Sequence, residues 1–184
     1  MTVRSLSSSS LSNRINYRSM LAGNQKFIPF QGAGYAVGGN PGKLSSIEKF
    51  EFPNDTRTVL TSTLTTAASN TAGFFDTGVA GYWAGGNDGS DLSRVDKISF
   101  PSDSKTTLST GLSGARFDLA AFSNPSTAGY AAGGRESGSA VDTVDKFVFP
   151  SDSRSTLATG LSDASRELGG FENEGVAGYA AGGI

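Results

Sequence analysis

The 184-residue chain has no cysteine and no histidine. Without cysteine no disulfide can staple it, so its stability has to come from packed side chains and strand pairing. Without histidine there is no Ser-His-Asp or Cys-His nucleophile system, and zinc and copper lose their commonest ligand. No stretch approaches the roughly 18 apolar residues of a membrane-spanning helix, so membrane insertion is not expected. No apolar signal-peptide core follows Met1. Charge of one sign is scarce as well: 15 basic and 17 acidic residues give a net charge of −2, with a pI near 5.1. That balance argues against a nucleic-acid-binding body. No cofactor is implied.

What the chain does have is repetition. Gly34-Tyr35, Gly81-Tyr82, Gly129-Tyr130 and Gly178-Tyr179 recur at spacings of 47, 48 and 49 residues, each followed within a few residues by paired glycines. A fixed period of this length marks a supersecondary unit copied along the chain. The third copy shows the unit most clearly. It predicts strands over residues 116–122, 129–134, 144–149 and 156–161, each short, rich in aromatic and β-branched residues, and bounded by Gly, Pro, Asn or Ser. The expected fold is all-β: three four-stranded antiparallel repeats of about 48 residues, with residues 178–183 as the second strand of a further copy.

The third strand of each copy assigns its own faces. In Glu48-Lys49-Phe50-Glu51-Phe52, Asp96-Lys97-Ile98-Ser99-Phe100 and Asp145-Lys146-Phe147-Val148-Phe149, period two puts the acid and both large apolar residues on one face and the lysine on the other. The aromatic face should be buried. A Pro-(Ser/Asn)-Asp motif follows at Pro53, Pro101 and Pro150, predicting a type I turn into the fourth strand with its charges left in solvent. Asp96 and Asp145 are expected to pair with the arginines that open first strands, Arg116 and Arg166.

Residues 1–30 differ in character. They carry Arg4, Arg14, Arg18 and Lys26 with no acid, against 11 basic and 17 acidic groups in residues 31–184, and they include a serine-rich tract at residues 5–12. We read an extended N-terminal docking arm over 1–30 and a repeat domain over 31–184. Arg4, Arg14, Tyr17, Arg18 and Phe27 are its candidate partner-docking residues.

Candidate chemistry in the body is sparse. Asp142 with Asp145, and Glu172 with Glu174, are close enough in sequence to suggest a carboxylate pair, but Asp145 recurs as Asp96 and Glu48 and so reads as part of the scaffold. No catalytic residue is assigned and no metal site: the loop Asn87-Asp88-Gly89-Ser90-Asp91 lacks the spaced acids and terminal glutamate of a calcium loop. Trp83, the sole tryptophan, stands where the other copies have Ala36, Ala131 and Ala180. It is either a packing plug or, with Asp88 and Asp91, part of a ligand-binding surface.

The repeated features resemble the blade of kelch-type β-propellers: an arginine opening the first strand, a double glycine ending the second, an apolar third strand. Leu60, Leu108 and Leu157 stand where that pattern has tryptophan. The resemblance implies shape, not activity. Closed propellers have at least about four blades, so three units imply blades combined between subunits, or alternatively a three-fold β-prism or trefoil-like body. Residues 16–24 (Asn-Tyr-Arg-Ser-Met-Leu-Ala-Gly-Asn), with Phe27-Ile28-Pro29 behind them, resemble the leader of virion structural proteins in tailed bacteriophages, notably those of cyanobacteria. The two resemblances together imply a non-enzymatic tail or fibre protein of the virion, assembled in the host cytoplasm. It would be anchored to other virion proteins by its arm, contribute to host attachment, and be homo-oligomeric, with a trimer favoured for a fibre. The alternative is a carbohydrate-binding, lectin-like module that grips a host-surface glycan.

Overall fold

The computed structural model describes residues 32–52, 54–173 and 175–184. The alternation of bulky and small residues in runs of about five yields sixteen strands and no helix in this part of the chain. β1 (Ala33–Val37), β2 (Ile47–Glu51) and β3 (Thr56–Val59) form a three-stranded sheet, and β4 (Ala72–Asp76), β5 (Ala80–Ala84), β6 (Val95–Ser99) and β7 (Ser104–Thr107) a four-stranded one, each in sequence order. β8 (Arg116–Phe117) then opens the third copy, followed by β9 (Ala120–Asn124), β10 (Ala128–Ala132), β11 (Arg135–Glu136), β12 (Ser139–Ala140), β13 (Val144–Val148) and β14 (Ser153–Thr156). Four of these make the sheet β9-β10-β13-β14, and the short strands make a side sheet, β12-β11-β8. β15 (Leu168–Asn173) and β16 (Ala177–Gly182) pair as a two-stranded sheet. All pairings are antiparallel, and β4 lies beside β9, and β9 beside β15 and β16, so successive sheets follow one another in space.

The core lies between the sheets. Phe74 and Tyr82 of the second sheet pack with Phe147 and Phe149 of the third, joined by Ala80, Ala84, Val95, Leu112, Leu119 and Ala131. The small residues beside the aromatics let one sheet approach the next. A Cβ added at Gly129 would run into the Phe74 ring, and one at Gly178 into the Phe122 ring, so these two glycines are each the seat for a phenylalanine of the preceding sheet. The paired glycines answer a different need. Gly85 and Gly86 have φ of +66° and +103°, and a Cβ on Gly85 would strike the Arg116 carbonyl.

Four expectations are corrected. The first strand of the third copy is not one run over 116–122: Asp118, at φ +57°, breaks it, and Asn70 and Glu167 take the same left-handed conformation at the matching point of their copies. Asn and Asp tolerate this region better than most residues. The fourth strand lies at Ser153–Thr156 rather than 156–161; Leu157 only caps its ladder, its N–H donating to the Val144 carbonyl at 2.9 Å. The turn into it is not type I, which has no left-handed residue. The Phe100-Pro101 and Phe149-Pro150 bonds are cis, and Asp103 and Asp152 sit at φ +53° and +55°. Finally, Arg166 is not the counterpart of Arg116. It stands 13 residues before Tyr179, whereas Arg116 stands 14 before Tyr130, and in extended chain a one-residue offset faces the other way. Arg166 pairs instead with the neighbouring Glu167, at 3.1 Å.

Candidate functional site

The recurring chemistry of the chain sits where one sheet meets the next. The pairing register places the tyrosine of each Gly-Tyr pair directly opposite the lysine of the third strand: Tyr35 with Lys49, Tyr82 with Lys97, Tyr130 with Lys146. Both side chains therefore leave the sheet on the same face, toward the following sheet. There they meet the aspartate of its Pro-Ser-Asp turn. Tyr35 Oη donates to Asp103 Oδ1 at 2.8 Å and Lys49 Nζ to Asp103 Oδ2 at 3.0 Å; Tyr82 Oη donates to Asp152 Oδ1 at 2.7 Å and Lys97 Nζ to Asp152 Oδ2 at 2.6 Å. The left-handed φ of the aspartate turns its carboxylate back over the hairpin and into this pair of donors.

These turn charges were expected to stay in solvent; Asp103 and Asp152 do not, whereas Asp55 and Arg57 of the first copy are exposed. Burial, followed by the bond to the aspartate, pushes both phenols far above their ordinary value, and the Asp103 bond is the main cause that raises Lys49. The aromatic rings complete each contact. Tyr35 stacks on Phe100 at 5.0 Å, and Tyr82 on Phe149 at 5.3 Å. Each contact thus joins a stacked aromatic pair to a charge-assisted hydrogen bond of roughly 1.5–3 kcal/mol.

The third-strand acids do a second job at the same joints. Asp145 and Arg116 are both fully buried and bonded at 2.9 Å, with Ser113 N–H and Oγ, Thr156 Oγ1 and Arg154 around the same carboxylate. Burial alone would raise Asp145, but those donors and the Arg116 charge outweigh it and hold the carboxyl below its ordinary range. The expected pairing with Arg116 is present. Asp96, also buried, takes Arg94 at 3.1 Å and Lys105 at 3.4 Å, because Ala68 occupies the place that corresponds to Arg116. Its carboxyl is lowered too, by Thr107, Thr65 and Arg94 against the opposing effect of burial. Glu48 meets Arg57 at 3.2 Å, at the surface.

The other sequence candidates are placed as follows. Arg4, Arg14, Tyr17, Arg18 and Phe27 lie outside the described residues, as does Glu174. Trp83 is half-buried with its ring edge-on to Tyr35, centroids 6.4 Å apart, and lies over Gly73 and Gly81, so it packs the joint between the first two sheets. Asp88 accepts from Ser90 N–H within its own turn; Asp91 accepts from Asn87 and, at 3.2 Å, from Ser137 N–H of the next copy. Glu172 lies within β15. Among the described residues no group of three or more acids is arranged to hold a metal. The residues that sequence reading missed are Asp103, Asp152, Lys49 and Lys97. Their signal was present in the recurrence of Tyr, Lys and turn Asp in every complete copy.

Both ends of the series leave such a contact unfilled among the described residues. Tyr130, stacked on Phe122 at 5.2 Å and capped by Lys146, meets no turn aspartate; beside it opens a groove of about 220 Å³ lined by Phe122, Asn124, Tyr130, Asn173 and Val176. At the other end Phe52 is 49% exposed and Asp55, in the left-handed conformation of Asp103 and Asp152, is exposed too. A scan against protein-family models and a search of curated proteins find no match to the chain.

Proposed function

We propose that this chain is a structural protein of a bacteriophage virion, a tail or fibre component in which kelch-like blades form the body and residues 1–30 dock on another virion protein. The observation that carries the proposal is the repeated joint: the first and the second sheet are each tied to the next by the same Tyr and Lys to Asp contact, and Asp103, Asp152, Asp96 and Asp145 are spent on it or on Arg116, Arg94 and their neighbours. Chemistry of this kind builds a rigid body. Among the described residues the sheets pack in chain order, as successive blades would.

The charge difference between arm and body supports docking by the arm, and the leader resemblance supports the virion as its setting. Host attachment and self-assembly belong to the same reading. The lectin alternative has less behind it, since Trp83, Asp88 and Asp91 make their contacts within the protein. The test is deletion of residues 1–24. The truncated chain should keep its β circular dichroism and lose its place in assembled particles; normal incorporation would refute the docking role. Binding of the arm should also weaken with salt, because exposed charge pairs are screened over about 8–10 Å at moderate ionic strength.

A further inference from the structure

The two end faces of the repeat domain are the two halves of the joint that the chain already makes within itself. On the outgoing face, Phe171 and Tyr179 stack at 4.9 Å and 14°, as Phe74 and Tyr82 do at 4.9 Å and 9°, yet they are 56% and 44% exposed. On the incoming face, Phe52 lies over Gly34 as Phe100 lies over Gly81, Asp55 has the φ of Asp103 and Asp152, and among the described residues only Phe52 covers Gly34. At the internal joints the same set is filled: Gly129 seats Phe74, Phe149 stacks on Tyr82, and Asp152 accepts from the tyrosine.

We propose that the occupant of each end face is a second copy of this chain, joined head to tail, with Phe171 of one copy seated on Gly34 of the other and Tyr179 stacked on Phe52 and donating to Asp55. The proposal rests on the reading of the sheets as successive blades. Four features match (a ring pair, a glycine seat, a phenylalanine and a carboxylate held at a fixed φ), and each already has its partner type at an internal joint. No described strand has to move. A head-to-tail contact gives rings when its rotation closes. The described residues supply four unit positions, the last with two strands, so two such copies give eight, within the range of about four to eight blades in closed propellers. The expected assembly is therefore a two-copy ring containing this joint twice.

Native mass spectrometry and sedimentation of the full chain test it. The expected species has twice the chain mass. Gly34→Ala is the sharpest variant, because its new Cβ would sit 3.4 Å from Phe52 within one protomer, an ordinary contact, but would collide with an incoming Phe171. It should give a folded monomer by circular dichroism. Tyr179→Ala should do the same, and Asp55→Asn should weaken association about tenfold or more by removing a charged acceptor. Mixing Gly34→Ala with Tyr179→Ala should restore a dimer through the one joint that remains intact, an outcome peculiar to head-to-tail pairing. A monomeric parent protein would overturn the proposal, as would a dimer indifferent to all three substitutions. The latter would leave self-assembly standing and reject only this pairing of faces, and neither result touches docking by the arm.

Discussion

The joint between the second and third sheets and the face at β15 and β16 carry the same stacked pair of rings, but the end face has no third strand to supply a lysine and, among the described residues, no neighbour beyond it. Phe74 is 2% exposed and Phe171 56%; Tyr82 is 1% exposed and Tyr179 44%. The stacking within each pair scarcely changes. The unit therefore sets the shape of its own face, and the neighbouring unit adds burial and the carboxylate. Substitutions should be costly in the middle and inexpensive at the ends wherever they act on the joint.

The largest difference is expected at the buried acids. Removing one partner of a buried ion pair strands the other and costs roughly 3–5 kcal/mol, so Asp145→Ala should lower the urea midpoint sharply. Glu48→Ala, its counterpart beside the exposed Arg57, should cost no more than about 1 kcal/mol. A double-mutant cycle of Asp145 with Arg116 should show strong coupling, and one of Asp145 with Arg166 none. Equal losses at Asp145 and Glu48 would break the comparison.

Acid comes next. Asp96 and Asp145 titrate below their ordinary value in the folded chain, so the folded state holds fewer protons than the unfolded chain across that window. Their contribution is complete above the unfolded carboxylate value of about 4 and is lost as pH falls through their lower, folded values. Stability measured from pH 6 down to pH 2 should decline most steeply below about pH 4. Asp145→Asn should reduce that slope.

Smaller is the effect of a methyl group at the seats. Gly129→Ala forces a Cβ into the Phe74 ring, an overpacking worth about 1–3 kcal/mol. Gly34→Ala, read as the unfolding free energy of the monomer, should change stability by no more than about 0.5 kcal/mol. A loss at Gly34 comparable to that at Gly129 would mean that the first sheet is covered in the isolated chain.

Much of this arrangement was legible in the residues. The Gly-Tyr period gave the unit, and alternation in Asp145-Lys146-Phe147-Val148-Phe149 gave the buried and lysine faces as they stand. What escaped was whatever depends on one residue of phase or on a distant neighbour. Its place near the start of a first strand made Arg166 resemble Arg116, although counting back from Tyr179 and Tyr130 separates them by one position and hence by a face. The turn aspartates read as solvated because their partners, Tyr35 and Tyr82, lie 68 and 70 residues away, beyond any local pattern. A phenylalanine eight residues before each tyrosine (Phe74, Phe122 and Phe171, with Phe27 at the same spacing before Tyr35) was a further signal in the sequence. The first three are the rings of the joint, and Phe27 lies outside the described residues.

The finest test removes a single oxygen. Tyr82 donates to Asp152 in a buried joint, and that carboxylate keeps Lys97 when the hydroxyl is gone, so Tyr82→Phe strands no charge. Its cost should be one charge-assisted hydrogen bond, about 1.5 kcal/mol. Tyr130 presents the same hydroxyl, on the same kind of stacked pair and beside the matching lysine, but meets no turn aspartate among the described residues. Tyr130→Phe should therefore stay within about 0.5 kcal/mol. The two substitutions delete the same atom from the same local setting, so packing and strand propensity cancel between them and the difference isolates the neighbour's carboxylate. Adding Asp152→Asn sharpens the reading: it should remove most of the penalty of Tyr82→Phe and leave that of Tyr130→Phe unchanged. If the two phenylalanine variants instead lost the same stability in urea titrations of the isolated chain, the aspartate would not be what distinguishes a filled joint from an open one.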